Sequence, residues 1–470
     1  MSHTPFACAA ASLAALFALP CLAADGGPDP TFGIGGISYV SVDDVTAREI
    51  YPHAAIALPD GKLLFAGQRN KIVPPAPFYE PQIRGMLLRL NADGSPDTTF
   101  GNTGIGGLLE LPDLVTGTRM QPIESIARFA DGSYVAVGTA SVNQPLQGYI
   151  VKLTASGDID ESFGSSGKVL LPLTYLHTVA LDSQQRIVVG GEHYDSSTFV
   201  YTTTIVRLTP AGAYDGTFGD SGVKTIAWSD AAASGYVDDL AIVDGDAVVI
   251  GGAFEAYGAG FGIDYALARL AADGSFDAGF NGIGWRVFHD PSESSIGNRV
   301  QRLVTRADGS IAFAGFHNTG ENISGLVLAS VNADGSTDTG FGQAANPGYL
   351  KPAVLPTAEG ASVTALVAQP DGKLVASAWY YGPDKENFFA VRSTANGNEL
   401  DASFADAGVL QADLAPSGVL SEIDTLLLQD DGRIVAAGRA QRSSGSPLVD
   451  FAAMRLLNPS VDVIFANGFD

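Results

Sequence analysis

The chain has 470 residues, 56 of them glycine, with 46% hydrophobic and only 16% charged residues. That composition suits many short strands and turns better than long surface helices. A formal charge of −25, from 51 acidic against 26 basic residues, argues against nucleic acid and against anionic membrane surfaces, since both repel a polyanion.

Residues 1–23 read as an export signal. Ala9 to Leu19 is an apolar stretch, Pro20 interrupts it, and Leu22-Ala23 precede an abruptly polar, Gly- and Pro-rich sequence from Asp25 onward. The segment contains no Lys or Arg, so its start is positive only through the amino terminus. Lipid modification of Cys21 is the anchoring alternative, and Pro20 fits it poorly. Both cysteines, Cys8 and Cys21, fall inside this segment. Cleavage after Ala23 therefore leaves a cysteine-free chain, which excludes disulfides, thiol catalysis and cysteine-bound zinc. No later run is apolar enough to span a bilayer.

From residue 24 to 459 the sequence repeats itself. The tetrad Asp-x-x-Phe occurs at Asp29/Phe32, Asp97/Phe100, Asp160/Phe163, Asp215/Phe218, Asp277/Phe280, Asp338/Phe341 and Asp401/Phe404, each followed by a Gly. Phe32 to Phe404 is 372 residues over six intervals, a mean period of 62. In phase with it, Asp-Gly pairs such as Asp60-Gly61, Asp131-Gly132 and Asp431-Gly432 separate two apolar runs, and Ser183-Gln184 is the degenerate copy. Asp-Gly between apolar runs predicts a tight primed hairpin turn. In the second unit the strands are expected near Gly106–Leu111, Glu124–Phe129, Tyr134–Thr139 and Gly148–Leu153. Runs such as Lys62–Gly67 and Arg433–Gly438 are apolar on both faces, so each sheet should be covered on both sides. These features predict an all-β, seven-bladed β-propeller of four-stranded antiparallel blades. Since no capping segment precedes the first tetrad, a closed ring is expected rather than a linear stack.

Segments such as Leu90-Asn91-Ala92-Asp93-Gly94-Ser95-Pro96-Asp97-Thr98-Thr99-Phe100-Gly101 and Leu58-Pro59-Asp60-Gly61-Lys62-Leu63-Leu64-Phe65-Ala66-Gly67 resemble the delta-60 repeats of exported bacterial proteins. The resemblance covers nearly the whole chain after the signal and implies a β-propeller and an exported bacterial origin, in the periplasm, at the cell surface or outside the cell. It implies no activity. Residues 460–470 carry a truncated eighth tetrad, Asp462/Phe465. Two roles suggest themselves for this tail: sealing the ring by setting Phe465 among the other Phe residues, or serving as a sorting tag.

Candidate chemistry is sparse. The loop Asn91-x-Asp93-Gly94-Ser95-x-Asp97 suggests calcium at some copies, but its ligand set is incomplete, and the expected role is an Asx-type turn with the tetrad as a structural motif. No cofactor is therefore expected. The six histidines, His3, His53, His177, His193, His289 and His317, show no metal-ligand spacing, although a ring can bring distant residues to its channel. The loops at the end opposite the tetrads vary and bear aromatics: Phe78, Tyr79, Tyr194, Tyr257, Phe261, Trp379, Tyr380 and Tyr381. Variable loops on a rigid scaffold are where binding concentrates. The sequence thus predicts a binding or scaffold module without an identifiable catalytic site, with a protein or carbohydrate ligand on that face. A hydrolase or lyase with its site in the central channel is the alternative.

Overall fold

The computed structural model describes residues 25–41, 47–72, 81–141, 146–172, 174–228, 233–256, 262–288, 297–318, 324–354, 360–381, 388–412, 414, 421–442 and 448–458. Among them there is no α-helix, and a 3₁₀ turn at Asp244–Asp246 joins two strands. The chain forms successive four-stranded antiparallel sheets whose strands lie side by side in chain order, as in Thr174–Leu181, Ile187–Asp195, Val200–Leu208 and Val223–Ile226. The first strands of the sheets are Ala47–Ala57, Ser125–Arg128, Thr174–Leu181, Ala233–Val243, Arg299–Thr305, Gly360–Ala368 and Ser421–Leu428. Each touches the next in order, and Ser421–Leu428 returns to Ala47–Ala57, so the succession closes on itself around a central channel.

The second strand of each sheet explains the packing. Along Leu63–Ile72, Leu63 and Phe65 enter one core while Leu64 and Ala66 enter the next. Ile187 and Val189 likewise face away from Val188, and Ile434 and Ala436 from Val435 and Ala437. Period-2 alternation of two apolar sets gives a strand with no polar face, which only a sheet covered on both sides can hold.

The expected grouping of strands is corrected by one step. Leu108–Glu110, which follows the tetrad Asp97/Phe100, pairs with Pro81–Leu90 and so completes the preceding sheet rather than opening a new one. The same offset applies at the chain start. Ile37–Val40 pairs with Val449–Leu456, in register from Ile37↔Met454 to Val40↔Phe451, so the first tetrad belongs to the last sheet. Asp29 and the fully buried Phe32 thus stand where the last sheet meets the first. Residues 460–470, with Asp462 and Phe465, and the signal segment 1–23 lie outside the described residues.

The Asp-Gly hairpins also differ from expectation. Gly61 N donates to Leu58 O, and Leu58 N to Lys62 O. Pro59 and Asp60 thus form a type I turn, and Gly61 at φ +80° closes a three-residue loop of the bulged kind. The longer loop explains why Asp precedes Gly here without a two-residue primed turn.

Each tetrad closes a small polar knot. Asp97 Oδ1 accepts from Thr99 N at 3.0 Å, its Oδ2 accepts from Arg89 Nε at 2.7 Å, and Arg89 lies over the Phe100 ring at 4.3 Å. The same arrangement recurs in Arg207–Asp215–Phe218, Arg269–Asp277–Phe280, Arg392–Asp401–Phe404 and Arg455–Asp29–Phe32. Lys152 serves Asp160 beside Phe163, and Ser330 serves Asp338 beside Phe341. All these phenylalanines are buried. Asp93, the calcium candidate of the sequence, accepts from both N and Oγ of Ser95 in an Asx turn.

Candidate functional site in the central channel

The first strands share one irregularity. Pairing with the second strand slips by a residue between Pro52 and Ala54, Leu176 and Thr178, Val237 and Asp239, Val300 and Arg302, Val363 and Ala365, and Ile423 and Thr425. Glu124 holds the same place ahead of Ser125–Arg128, its N donating to Val137 O at 2.8 Å. A bulge leaves its extra residue unpaired and re-aims the side chain. The residues at this place are His53, Glu124, His177, Asp238, Gln301, Thr364 and Asp424, every one polar. All of them border an open cavity of about 550 Å³, six from a bulge and Glu124 from just ahead of its strand.

Close approach of two backbones makes the bulge. A Cβ on Gly67, Gly191, Gly315 or Gly438 would lie 1.9 Å from the carbonyl oxygen of Tyr51, Tyr175, Arg299 or Glu422 respectively. Gly138 and Gly252 stand equally close, at 2.0 Å, to Pro122 O and Tyr236 O. Only glycine admits that contact without backbone movement. The remaining sheet has Ala378 there.

The polar groups interact around the channel. His53 Nδ1 donates to Ile123 O at 2.9 Å and lies 3.2 Å from Glu124 Oε2. His177 Nε2 meets Glu192 Oε2 at 2.6 Å, and the buried Glu192 also accepts from Val237 N. Arg299 pairs with Asp238, and Arg439 pairs with Glu422 and stands 3.6 Å from Asp424. Burial opposes charge on His53, yet the Glu124 carboxylate raises its pKa overall. Glu192 does the same for His177. Burial pushes Asp239 up despite Arg302 and two backbone amides, and pushes Asp424 to about 6 against the pull of Arg439 and His53. Toward the tetrad end the lining turns apolar, with Ala55, Ile126, Leu366 and Leu426.

Asp424 supplies a pH prediction. Its folded pKa lies above the unfolded value, so the stability it contributes is full below about pH 4 and is lost as pH rises through about 6. Asp424→Asn should flatten that fall, gaining at most about 3 kcal/mol over wild type at pH 8. Urea melts of both proteins from pH 4 to 8 check this. Parallel profiles would refute it.

The structure places the sequence candidates unevenly. Trp379 lines the cavity. Tyr194 is half-buried and packs on Tyr201 at 5.0 Å, which in turn meets Tyr175 and Tyr236. Tyr380 and Tyr381 end the strand Leu374–Tyr381, while Phe78, Tyr79, Tyr257 and Phe261 lie outside the described residues. Of the histidines, His53 and His177 reach the channel, His317 is buried in its sheet, and His193 sits on an exposed strand end; His3 and His289 are outside the described residues. Among the described residues, no three His, Cys, Asp or Glu side chains converge to hold a metal ion. Sequence reasoning missed Glu124, Asp238, Asp239, Arg302 and Asp424. A signal was present: six of the seven channel residues precede a close-approach glycine by 14 positions, as from His53 to Gly67, His177 to Gly191 and Asp424 to Gly438.

Residues 58–100, 130–163 and 247–280 match a family described as "Domain of unknown function (DUF5122) beta-propeller". No curated protein matches the sequence. Among solved structures, a protein of unknown function from Dyadobacter fermentans is 11% identical, with 90% of this chain and all of that one covered at a TM-score of 0.43. A PL25 ulvan lyase is 10% identical over 91% and 98% of the two chains, at 0.45. An α-L-arabinanase from Penicillium chrysogenum is 10% identical over 73% and 96%, at 0.40. Such distant likenesses carry no functional argument. The closed succession of four-stranded antiparallel sheets and the matched repeats lead to one conclusion: the fold is a β-propeller.

Proposed function

We propose that the chain is an exported, seven-bladed β-propeller that binds a hydroxyl-rich ligand, a carbohydrate, in its central channel. Seven tetrads and seven core clusters, each wedged between successive sheets, support the blade count. Residues 1–23 support export. One observation carries the binding reading: six innermost strands bulge at one common level, and these with Glu124 ahead of the seventh each present a polar side chain there. Folding alone gains nothing from such a ring, because a bulge forfeits pairing and polar groups add no core. The cavity volume falls within the roughly 300–1,000 Å³ of small-molecule sites. Carboxylates, imidazoles and amides above an apolar floor, with Trp379 alongside, match the hydroxyl edge and C–H face of a sugar ring. The site calls for no cofactor.

Calorimetry against a panel of neutral and acidic mono- and oligosaccharides tests this. At least one should bind wild type, and Glu124→Gln or His177→Gln should weaken it by about tenfold or more, a charge-assisted hydrogen bond being lost. A panel without a binder would sink the reading. The alternative, hydrolysis or elimination in the same channel, is favoured by Asp239 and Asp424, whose carboxyls are both raised toward the protonated form, Asp424 within the field of His53. Release of new sugar ends from bound oligosaccharide would favour it, and binding without turnover would leave the first reading.

A further inference from the structure

The charges around the channel are nearly all answered within the protein. His53 has Glu124, His177 has Glu192, Arg299 has Asp238, and Arg439 has Glu422 and Asp424. Arg302 differs. Its Nε donates to Thr364 O at 2.8 Å and its Nη1 to Gln301 O at 2.7 Å, so two backbone carbonyls fix the guanidinium plane. Among the described residues no carboxylate reaches it within ion-pair distance. Asp239 and Glu124 feel its field, since its charge lowers both, but neither touches it. The carboxylate of Asp239 is spent elsewhere, on Leu240 N at 2.9 Å, Leu303 N at 3.0 Å and the Thr178 hydroxyl.

Position adds to this. Arg302 follows Gln301 and bonds Thr364 O, and these are the two bulged residues without a titratable group. Gln301 is itself engaged with Ser362 and Val363, and Thr364 with Ser377 and Ile423 O. Among the described residues, Arg302 is thus the one arginine lining the cavity that has no carboxylate within ion-pair distance, and it borders the cavity in the sector of Gln301 and Thr364. Nη2 and the outer edge of the guanidinium stay available, and that edge matches a carboxylate bidentately.

We propose that Arg302 is the anchor for a carboxylate carried by the sugar, so that the channel prefers sugar acids, uronates above all, to their neutral counterparts. The inference rests on the carbohydrate reading of the same cavity and adds its charge specificity. Held in place by backbone carbonyls, the guanidinium loses little freedom on binding, and the net charge of −25 makes this local cation the feature that admits an anion.

The test is calorimetry at low salt with glucuronate and galacturonate against glucose and galactose, and with acetate and sulfate as free anions. Wild type should bind a uronate at least about tenfold tighter than its neutral partner. Arg302→Gln should cut the uronate-over-neutral preference by about tenfold or more, whatever the change in neutral-sugar affinity, and Arg302→Lys should restore part of it. Equal affinities in wild type, or an Arg302→Gln protein that keeps the wild-type preference for the uronate, would overturn the assignment while leaving carbohydrate binding intact. Acetate or sulfate binding as tightly as the uronate would overturn it in favour of a free-anion site. Binding of no sugar at all would overturn both readings. Unchanged circular dichroism and melting temperature of the variants exclude misfolding as the cause.

Discussion

Deleting residues 25–40 will abolish cooperative folding rather than trim one edge. Those residues supply the outermost strand of the last sheet, paired from Ile37↔Met454 to Val40↔Phe451. They also bring Phe32, which is fully buried beside Phe65, Val435 and Phe451. Without them Arg455, 5% exposed, loses Asp29 Oδ2 at 2.7 Å and the Thr31 hydroxyl at 2.8 Å. Stranding a buried charge costs about 3–5 kcal/mol, and the lost burial of one Phe about 1.5–3 kcal/mol more. Together these approach the 5–15 kcal/mol or so that separates most domains from unfolding. The first and last sheets meet here, so the damage falls on the joint of the ring and not on a free end. Urea denaturation followed by circular dichroism decides the matter. A sharp, native-like transition in the deleted protein would show that the ring does not depend on this strand.

Arg392→Ala should be nearly as severe, at about 3–5 kcal/mol. The side chain is wholly buried, its Nε donates to Asp401 Oδ2 at 3.0 Å, its Nη1 to Asp25 at 3.0 Å and its Nη2 to the Ser403 hydroxyl at 3.1 Å. It also lies over Phe404 at 4.6 Å. Burial would raise the pKa of Asp401, but hydrogen bonds from Ser403 with the charges of Lys373 and Arg392 lower it to about 2. The stability this carboxylate contributes is thus present above about pH 4 and lost as pH falls through 2. Removing Arg392 should raise the Asp401 pKa and move acid unfolding to higher pH. The sheet that has Ser330 in place of the arginine points the same way. There Arg306 reaches across to Ser330 Oγ at 2.9 Å and over Phe341 at 5.1 Å, so the cation is kept by another route. An Arg392→Ala protein whose acid and urea midpoints match wild type would remove the knot from any account of stability.

Much of the fold was legible because its constraints are local and repeated. Tetrads, Asp-Gly turns and two-faced apolar strands are each set by a few adjacent residues. The phase of the units was not legible, since whether Leu108–Glu110 ends one sheet or begins another depends on pairing with Pro81–Leu90 across the tetrad loop. Nor was the arginine of the knot, although Arg89, Arg207 and Arg269 each precede the tetrad Asp by eight residues. The channel was the least readable part. Polar residues such as Glu124 and Asp424 look like ordinary solvent-facing positions of a strand, and only the closure of the ring turns them toward one another. The aromatic loops attracted attention because aromatics stand out in a sequence; of those candidates Trp379 lines the cavity, while Tyr194 packs on Tyr201.

The glycine opposite each bulge has a consequence for how such a protein diversifies. The main chain turns the extra residue inward through close carbonyl contacts like that of Tyr51 O with Gly67. Scaffold and specificity are thereby written at separate addresses 14 positions apart, with glycine at the scaffold address in six of the seven repeats and Ala378 in the other. Positions 53, 124, 177, 238, 301, 364 and 424 are thus the set to vary for a new ligand, with the bonds of His53, Gln301 and Thr364 to neighbouring strands as the constraint on each exchange. A library randomised there and nowhere else would explore new ligands on an unchanged set of strands.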